Sequence, residues 1–136
     1  MQIDFTPKQF RRLLDMVYIG NWVLNSIRGV DRIGDYDAVE SYLFGKSNNF
    51  NMNDLSESIG NMYVPSRAFV RGGIHYAISE YEDVVFFEIL AQELAYRDFL
   101  AQSRENTECD FTARMNAYIT EFEKNGIENL VLDAEK

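Results

Sequence analysis

One cysteine, one histidine and two prolines are all that this 136-residue chain holds of those three types. Cys109 by itself permits neither an intramolecular disulfide nor a cysteine-based zinc site, and a chain without disulfides suits a reducing cytoplasm. It lies next to Asp110 with no cation beside it in sequence, so a reactive thiolate is not expected and a partly buried thiol is the default. His75, without a second histidine, supports neither a catalytic triad nor a histidine metal site. No run approaches the ~18 apolar residues of a membrane-spanning helix, and the opening segment MQIDFTPKQF has no apolar core of a signal peptide. Phosphate loops, dinucleotide fingerprints, nucleophile elbows and helix-turn-helix patterns are missing as well. Asn49, Asn51 and Asn53 space their oxygens like a calcium loop. However, Asp54 stands where that loop needs glycine and Gly60 where it needs glutamate. The glutamates of 80–93 do not form the paired E-x-x-E motif of a metal-binding bundle. No cofactor and no metal are therefore expected, and a binding module is favoured over an enzyme.

What the chain does have is a globular composition, 46% apolar and 14% aromatic, long enough for one ordinary core and read as a single domain, 1–136. Its net charge of -9 is unevenly placed. Residues 1–78 carry eight acids against eight bases, whereas residues 79–136 carry 14 acids against five bases. The acidic C-terminal half would repel phosphate backbones and anionic lipids, so neither nucleic acid nor membrane is expected as a partner. A basic protein remains compatible.

Thr6, Pro7 and Gln9 predict a helix start with a capping box. Phe10, Leu13, Leu14, Val17, Leu24 and Ile27 then recur at helical spacing, with Gly20 placed to let another helix come close. Tyr36 to Phe44 reads as a short helix that Gly45 can end in the left-handed conformation. Ser47 to Asp54 is a loop by composition, and Leu55 to Ile59 one helical turn. Within 62–78, Pro65 and Gly72-Gly73 break any period and allow a hairpin about the glycine pair. From Ser79, with Glu82 as capping-box partner, a helix to Arg104 is apolar around nearly its whole circumference and is expected to be enclosed by its neighbours. Any strip left exposed would be a subunit interface. A last helix from Thr107 or Asp110 to Lys124 presents Phe111, Met115, Tyr118 and Phe122 on one face, and Asn125, Gly126 and Ile127 suit a Schellman ending. Leu130 to Leu132 can dock as an edge strand or an extra turn.

Three groups of residues are candidate sites. Glu88 falls among aromatic positions, where desolvation would raise a carboxylate's pKa towards that of a general acid or base, unless an arginine or tyrosine pairs with it. Arg67, Arg71, Gly72, Gly73 and His75 lie in an acid-free stretch, where arginine forks and glycine N–H groups can hold a phosphate or carboxylate. Pairing of those bases with the acidic half is the simpler reading. Arg11, Tyr18 and Trp22 are either a second buried face or an exposed patch suited to a protein interface.

The expected fold is all-α, four to five helices around the helix at about 79–104, with an α+β variant carrying a small hairpin at about 62–78 as alternative. The expected function is a non-enzymatic, cytoplasmic protein–protein interaction module of unknown partner, with a homodimer as the expected assembly. The alternative is a small enzyme or anionic-ligand-binding protein using Glu88 with Arg67, Arg71 and His75. A third idea, mimicry of nucleic acid, needs the C-terminal acids on one face.

Overall fold

The computed structural model describes residues 2–104 and 110–132, so Cys109 and Thr107 lie outside the described residues. Among the described residues the chain is mostly helical, with four helices, one further single helical turn and one small antiparallel hairpin. It forms two compact units, Met1–Ile78 and Ser79–Lys136. That boundary coincides with the change from balanced charge to the strongly acidic half.

In the first unit, helix α1 (Pro7–Asn25) begins as its sequence dictates. The Thr6 hydroxyl accepts from the Gln9 N–H, the Gln9 side chain accepts from the Thr6 N–H, and Pro7 occupies the first turn, where its missing donor costs nothing. Its buried face is not the predicted stripe. Phe10 and Leu14 are in the core, but the stripe continues through Asn21 and Asn25, and Ile27 is 88% exposed. Gly20 has open space where a Cβ would be, so no helix crosses there.

Helix α2 (Gly34–Phe44) ends at Gly45, which stays right-handed at φ -64 instead of turning left-handed. The glycine serves proximity instead: a Cβ there would stand 2.7 Å from the Tyr63 ring. Tyr63 belongs to the hairpin of β1 (Ser56–Ile59) and β2 (Met62–Pro65), paired from Ser56 with Pro65 to Ile59 with Met62. This hairpin replaces the helical turn expected at Leu55 to Ile59, and it does not turn on Gly72-Gly73. It turns on Gly60-Asn61, where Gly60 takes the positive φ of 63 that a two-residue hairpin turn of type II′ needs at its first position. The Tyr63 N–H donates to the Ser41 hydroxyl at 2.9 Å, tying the hairpin to α2.

The pair Gly72-Gly73 lies in a π-turn, Val70–Ile74, that follows the single turn α3 (Arg67–Phe69), itself capped by the Ser66 hydroxyl. Gly73, at φ 104, makes a kink that residues with a Cβ rarely adopt. The chain passes straight from it into helix α4 (His75–Arg104). Ser79 is thus four residues inside the helix, and its capping box with Glu82 does not form. Phe10, Leu14, Phe44, Phe69, Ile74 and Ile78 make the core of this unit. Phe10 stacks on Phe50 at 4.0 Å and Phe44 meets Phe69 edge to face at 4.9 Å.

In the second unit, α4 packs antiparallel on helix α5 (Phe111–Asn125), capped by the Asp110 carboxylate. Phe111, Met115, Tyr118 and Phe122 are the more buried positions of α5, as their spacing predicts. The enclosure expected of α4 is not found. Ala91 and Ala95 are fully buried, but Val84, Phe86, Ile89 and Tyr96 are each more than half exposed. Within this unit only α5 covers α4 among the described residues, and one neighbour can cover only one stripe of a helix apolar all round. At the end of α5 Gly126 has positive φ, with ψ -132, and its N–H bonds the Phe122 carbonyl. This single bond replaces the two of a Schellman motif, and Ile127 is left exposed. Residues 127–132 form turns and irregular chain, not a strand.

A Gly45→Ala substitution separates proximity from backbone freedom. The backbone there suits alanine, which would otherwise stabilise. We expect the clash with Tyr63 to win, with a loss of about 1–3 kcal/mol in urea unfolding that disappears in a Tyr63→Ala background. An equal effect in both backgrounds would show that the ring contact is not the constraint.

Candidate functional site

The first unit places a polar cluster where the helical stripe of α1 should be apolar. Asn25, 1% exposed, donates from its amide to the Asn21 carbonyl oxygen at 2.7 Å and to the Ile33 backbone carbonyl at 3.1 Å, and accepts from the Ile33 N–H at 2.8 Å. Ile33 is the residue before α2 and has no side-chain cap of its own, so Asn25 satisfies both of its main-chain groups. Asn21 donates on to Asp37 at 3.0 Å, and Arg32 grips the same carboxylate with two bonds of 2.6 Å. That fork is the main reason the Asp37 carboxyl titrates below its ordinary range, with Asn21 assisting and burial opposing.

Next to this cluster is a cleft of about 230 Å³ lined by Tyr18, Asn21, Trp22, Ser26, Arg32 and Glu40. Glu40, half-buried on α2, is pushed above the ordinary carboxyl range. Burial is the main cause and Asp37 adds to it, while Asn21 and the Arg32 charge pull the other way. No salt bridge to Glu40 exists among the described residues. Burial first, and then the Glu40 charge, also raise the Tyr18 phenol. Its oxygen lies 2.7 Å from His75 Nε2, and a neutral imidazole can accept that proton. Trp22 meets the His75 ring edge to face at 4.8 Å, and Tyr18 meets Phe69 likewise at 5.3 Å.

The residues singled out by sequence are therefore regrouped. Tyr18 and Trp22 do sit together, but as a half-buried cluster with His75 and not an exposed patch. Arg11 is elsewhere: it pairs with Asp15 and lies over the Phe69 ring at 4.8 Å. With Arg12, Asp15, Gly72 and Gly73 it lines a separate shallow groove. Arg67 and Arg71 are exposed and line neither that groove nor the cleft. The Arg67 main-chain N–H donates to Glu57 at 3.2 Å. Asn21, Arg32, Asp37 and Glu40 were not foreseen. Their available signal was the i, i+4 pair Asn21 and Asn25 in register with Phe10, Leu14 and Tyr18.

In the second unit Glu88 is exposed, not trapped among aromatic rings. Glu88 instead stands with Asp83 and Glu123 beside a groove of about 350 Å³ lined by Val84, Phe87, Ile119 and Phe122. Phe87 and Phe122 pack at 5.5 Å. Farther along, Asp98 accepts from Tyr118 at 2.7 Å and from Arg97 at 2.8 Å, with Arg114 at 3.2 Å. Burial alone would raise the Asp98 carboxyl, yet these partners together hold it below the usual value.

A scan against protein-family models returned no match, and searches of curated proteins and of solved structures returned none.

Two measurements test the polar cluster. Asn25→Leu keeps the bulk but strips the Ile33 N–H of its partner and leaves the Ile33 carbonyl only the Tyr36 N–H at 3.3 Å, so we expect a loss of about 2 kcal/mol in chemical denaturation. A loss under about 1 kcal/mol would mean water replaces the amide. Glu40 and Asp37 carry opposite signs. The folded pKa of Asp37 is depressed, so its contribution is present above the unfolded pKa and is lost as pH falls through the folded value. That of Glu40 is raised, so its contribution is full below the unfolded pKa and is lost as pH rises through the folded value. Glu40→Gln should therefore raise stability at neutral pH, by about 1 kcal/mol or less because water screens a half-buried carboxyl. The gain should vanish below about pH 4; thermal unfolding across pH reads it, and an unchanged or lower melting temperature at neutral pH would refute it.

Proposed function

We propose that this chain is a non-enzymatic protein–protein interaction module of a reducing cytoplasm, and that the groove between α4 and α5 docks a basic amphipathic helical segment of a partner protein. The observation that carries the reading is an apolar groove with acids at its edge. Val84, Phe87, Ile119 and Phe122 offer the apolar lining, and Asp83, Glu88 and Glu123 stand beside it with no base among the lining residues. Arg97 and Arg114 are already engaged by Asp98. An amphipathic helix lays its apolar side chains into such a groove, and lysines or arginines flanking them meet the carboxylates. The same charges disfavour pairing with the same half of a second copy, since residues 79–136 of that copy would bring 14 acids and five bases of their own to the contact. The homodimer expected from the sequence is thereby less well supported than a heterologous complex. The enzyme reading has less support, because Glu88 is exposed, as are Arg67 and Arg71, while His75 is half-buried against Tyr18 and Trp22.

Fluorescence anisotropy with a labelled Leu/Lys amphipathic peptide and a scrambled peptide of equal composition tests the reading. The amphipathic peptide should bind the full chain at least about tenfold more tightly. Val84→Asp, or Glu88→Lys with Glu123→Lys, should abolish the difference while circular dichroism stays unchanged. Equal binding of the two peptides, or undiminished binding by the charge-reversed variant, would overturn it. So would a dimer by light scattering that excludes the peptide, which would assign the groove to a second copy.

A further inference from the structure

The charges around the α1–α2 cleft do not balance, and their imbalance is local. Arg32 is the only base in the lining, and both of its bonds go to Asp37. Asp37 and Arg32 therefore neutralise each other, leaving the Glu40 carboxylate as the net charge of the cleft. An anion entering would face that carboxylate and find the guanidinium engaged. A cation would find its counter-charge half-buried and without a salt bridge among the described residues. The remaining walls suit it: Trp22 and Tyr18 supply aromatic surface, the group that attracts ammonium and methylated ammonium ions through the ring quadrupole. Asn21 and Ser26 add neutral hydrogen-bonding groups. The volume of about 230 Å³ admits only a small molecule. Moreover, the site is firmly held, because the Asn25 and Asn21 amides fix α1 to the start of α2 at one wall.

We propose that the cleft formed by Tyr18, Trp22, Arg32 and Glu40 binds a small organic cation of the alkylammonium class, with Glu40 as its counter-ion and Trp22 as its aromatic wall. Neither the groove of α4 and α5 nor its partner enters this reasoning, so the two readings stand or fall separately. A bound cation would also relieve the strain that burial places on Glu40, favouring its ionised form. This explains why a carboxylate that opposes the fold at neutral pH is useful there.

Trp22 is the only tryptophan of the chain, so its fluorescence reports on this cleft alone. The full-length protein is titrated with tetramethylammonium chloride and butylammonium chloride, with sodium chloride and sodium butyrate at equal ionic strength as controls. Isothermal calorimetry runs in parallel. Saturable binding of at least one ammonium probe is expected, with no saturable response to sodium or butyrate. Glu40→Gln should weaken it by about tenfold or more, whereas Glu57→Gln, a remote acid on β1, should leave it unchanged. Glu40→Gln is checked by circular dichroism, and the milder Glu40→Asp should give an intermediate loss, which guards against misfolding as the cause. No saturable ammonium binding by either method, preferential binding of butyrate, or undiminished binding by Glu40→Gln would overturn the proposal.

Discussion

The first unit depends on one amide. Asn25 sits almost wholly buried at the end of α1 and completes both main-chain bonds of Ile33, the residue from which α2 departs. A buried N–H or C=O left without a partner costs more than a made hydrogen bond contributes, so this pairing decides where α2 can begin. The direction of α2 then sets the rest. Asp37 is placed to meet Asn21 and Arg32, Glu40 is carried to the cleft, and Ser41 and Gly45 are presented to the hairpin. A polar cluster of this kind specifies one arrangement, because every member has a directional partner and few others would satisfy it.

The second unit is built differently. Among the described residues its buried side chains are few, Ala91, Ala95 and Phe122, and the Asp98 cluster with Tyr118, Arg97 and Arg114 supplies directional contacts between α4 and α5. Large side chains that would fill a core in a bigger bundle remain at its surface. An apolar groove with acids at its edge, as Val84, Phe87, Ile119 and Phe122 form beside Asp83, Glu88 and Glu123, is the property one expects of a surface that meets another molecule.

Where local chemistry decides structure, the sequence was legible. The capping box at Thr6 and Gln9 and the apolar face of α5 are set within a few residues and appear as expected, and Asp110, one of the two starts the sequence offers for α5, caps it. Glycine was recognised but misassigned. Gly45, Gly60 and Gly73 each satisfy a different need, namely ring contact, a hairpin turn and a kink. Composition marks a glycine without saying which need it meets. Glu88 failed for a related reason: the wheel of α4 shows which positions share a face, but not which faces find a neighbour. The cleft was hidden because its members are ordinary polar residues, Asn21, Arg32 and Glu40, joined only when α1 and α2 come together. The sequence groups Tyr18 with Trp22 but sets His75 with the arginines of 67–71, and nothing in their spacing announces that residues 57 apart share a hydrogen bond.

The charge boundary at residue 79 has a consequence for how the two halves respond to their medium. Dissolved ions screen repulsion between like charges over distances of about 8 Å at physiological strength. The acidic half therefore gains cohesion as ionic strength rises, because its crowd of carboxylates is quietened. The balanced half, whose ion pairs cancel, has no comparable crowd to quieten. Moving from fresh water to brine thus eases repulsion in one half of this chain while weakening the exposed ion pairs of the other, and any electrostatically guided encounter of the acidic half slows over the same range.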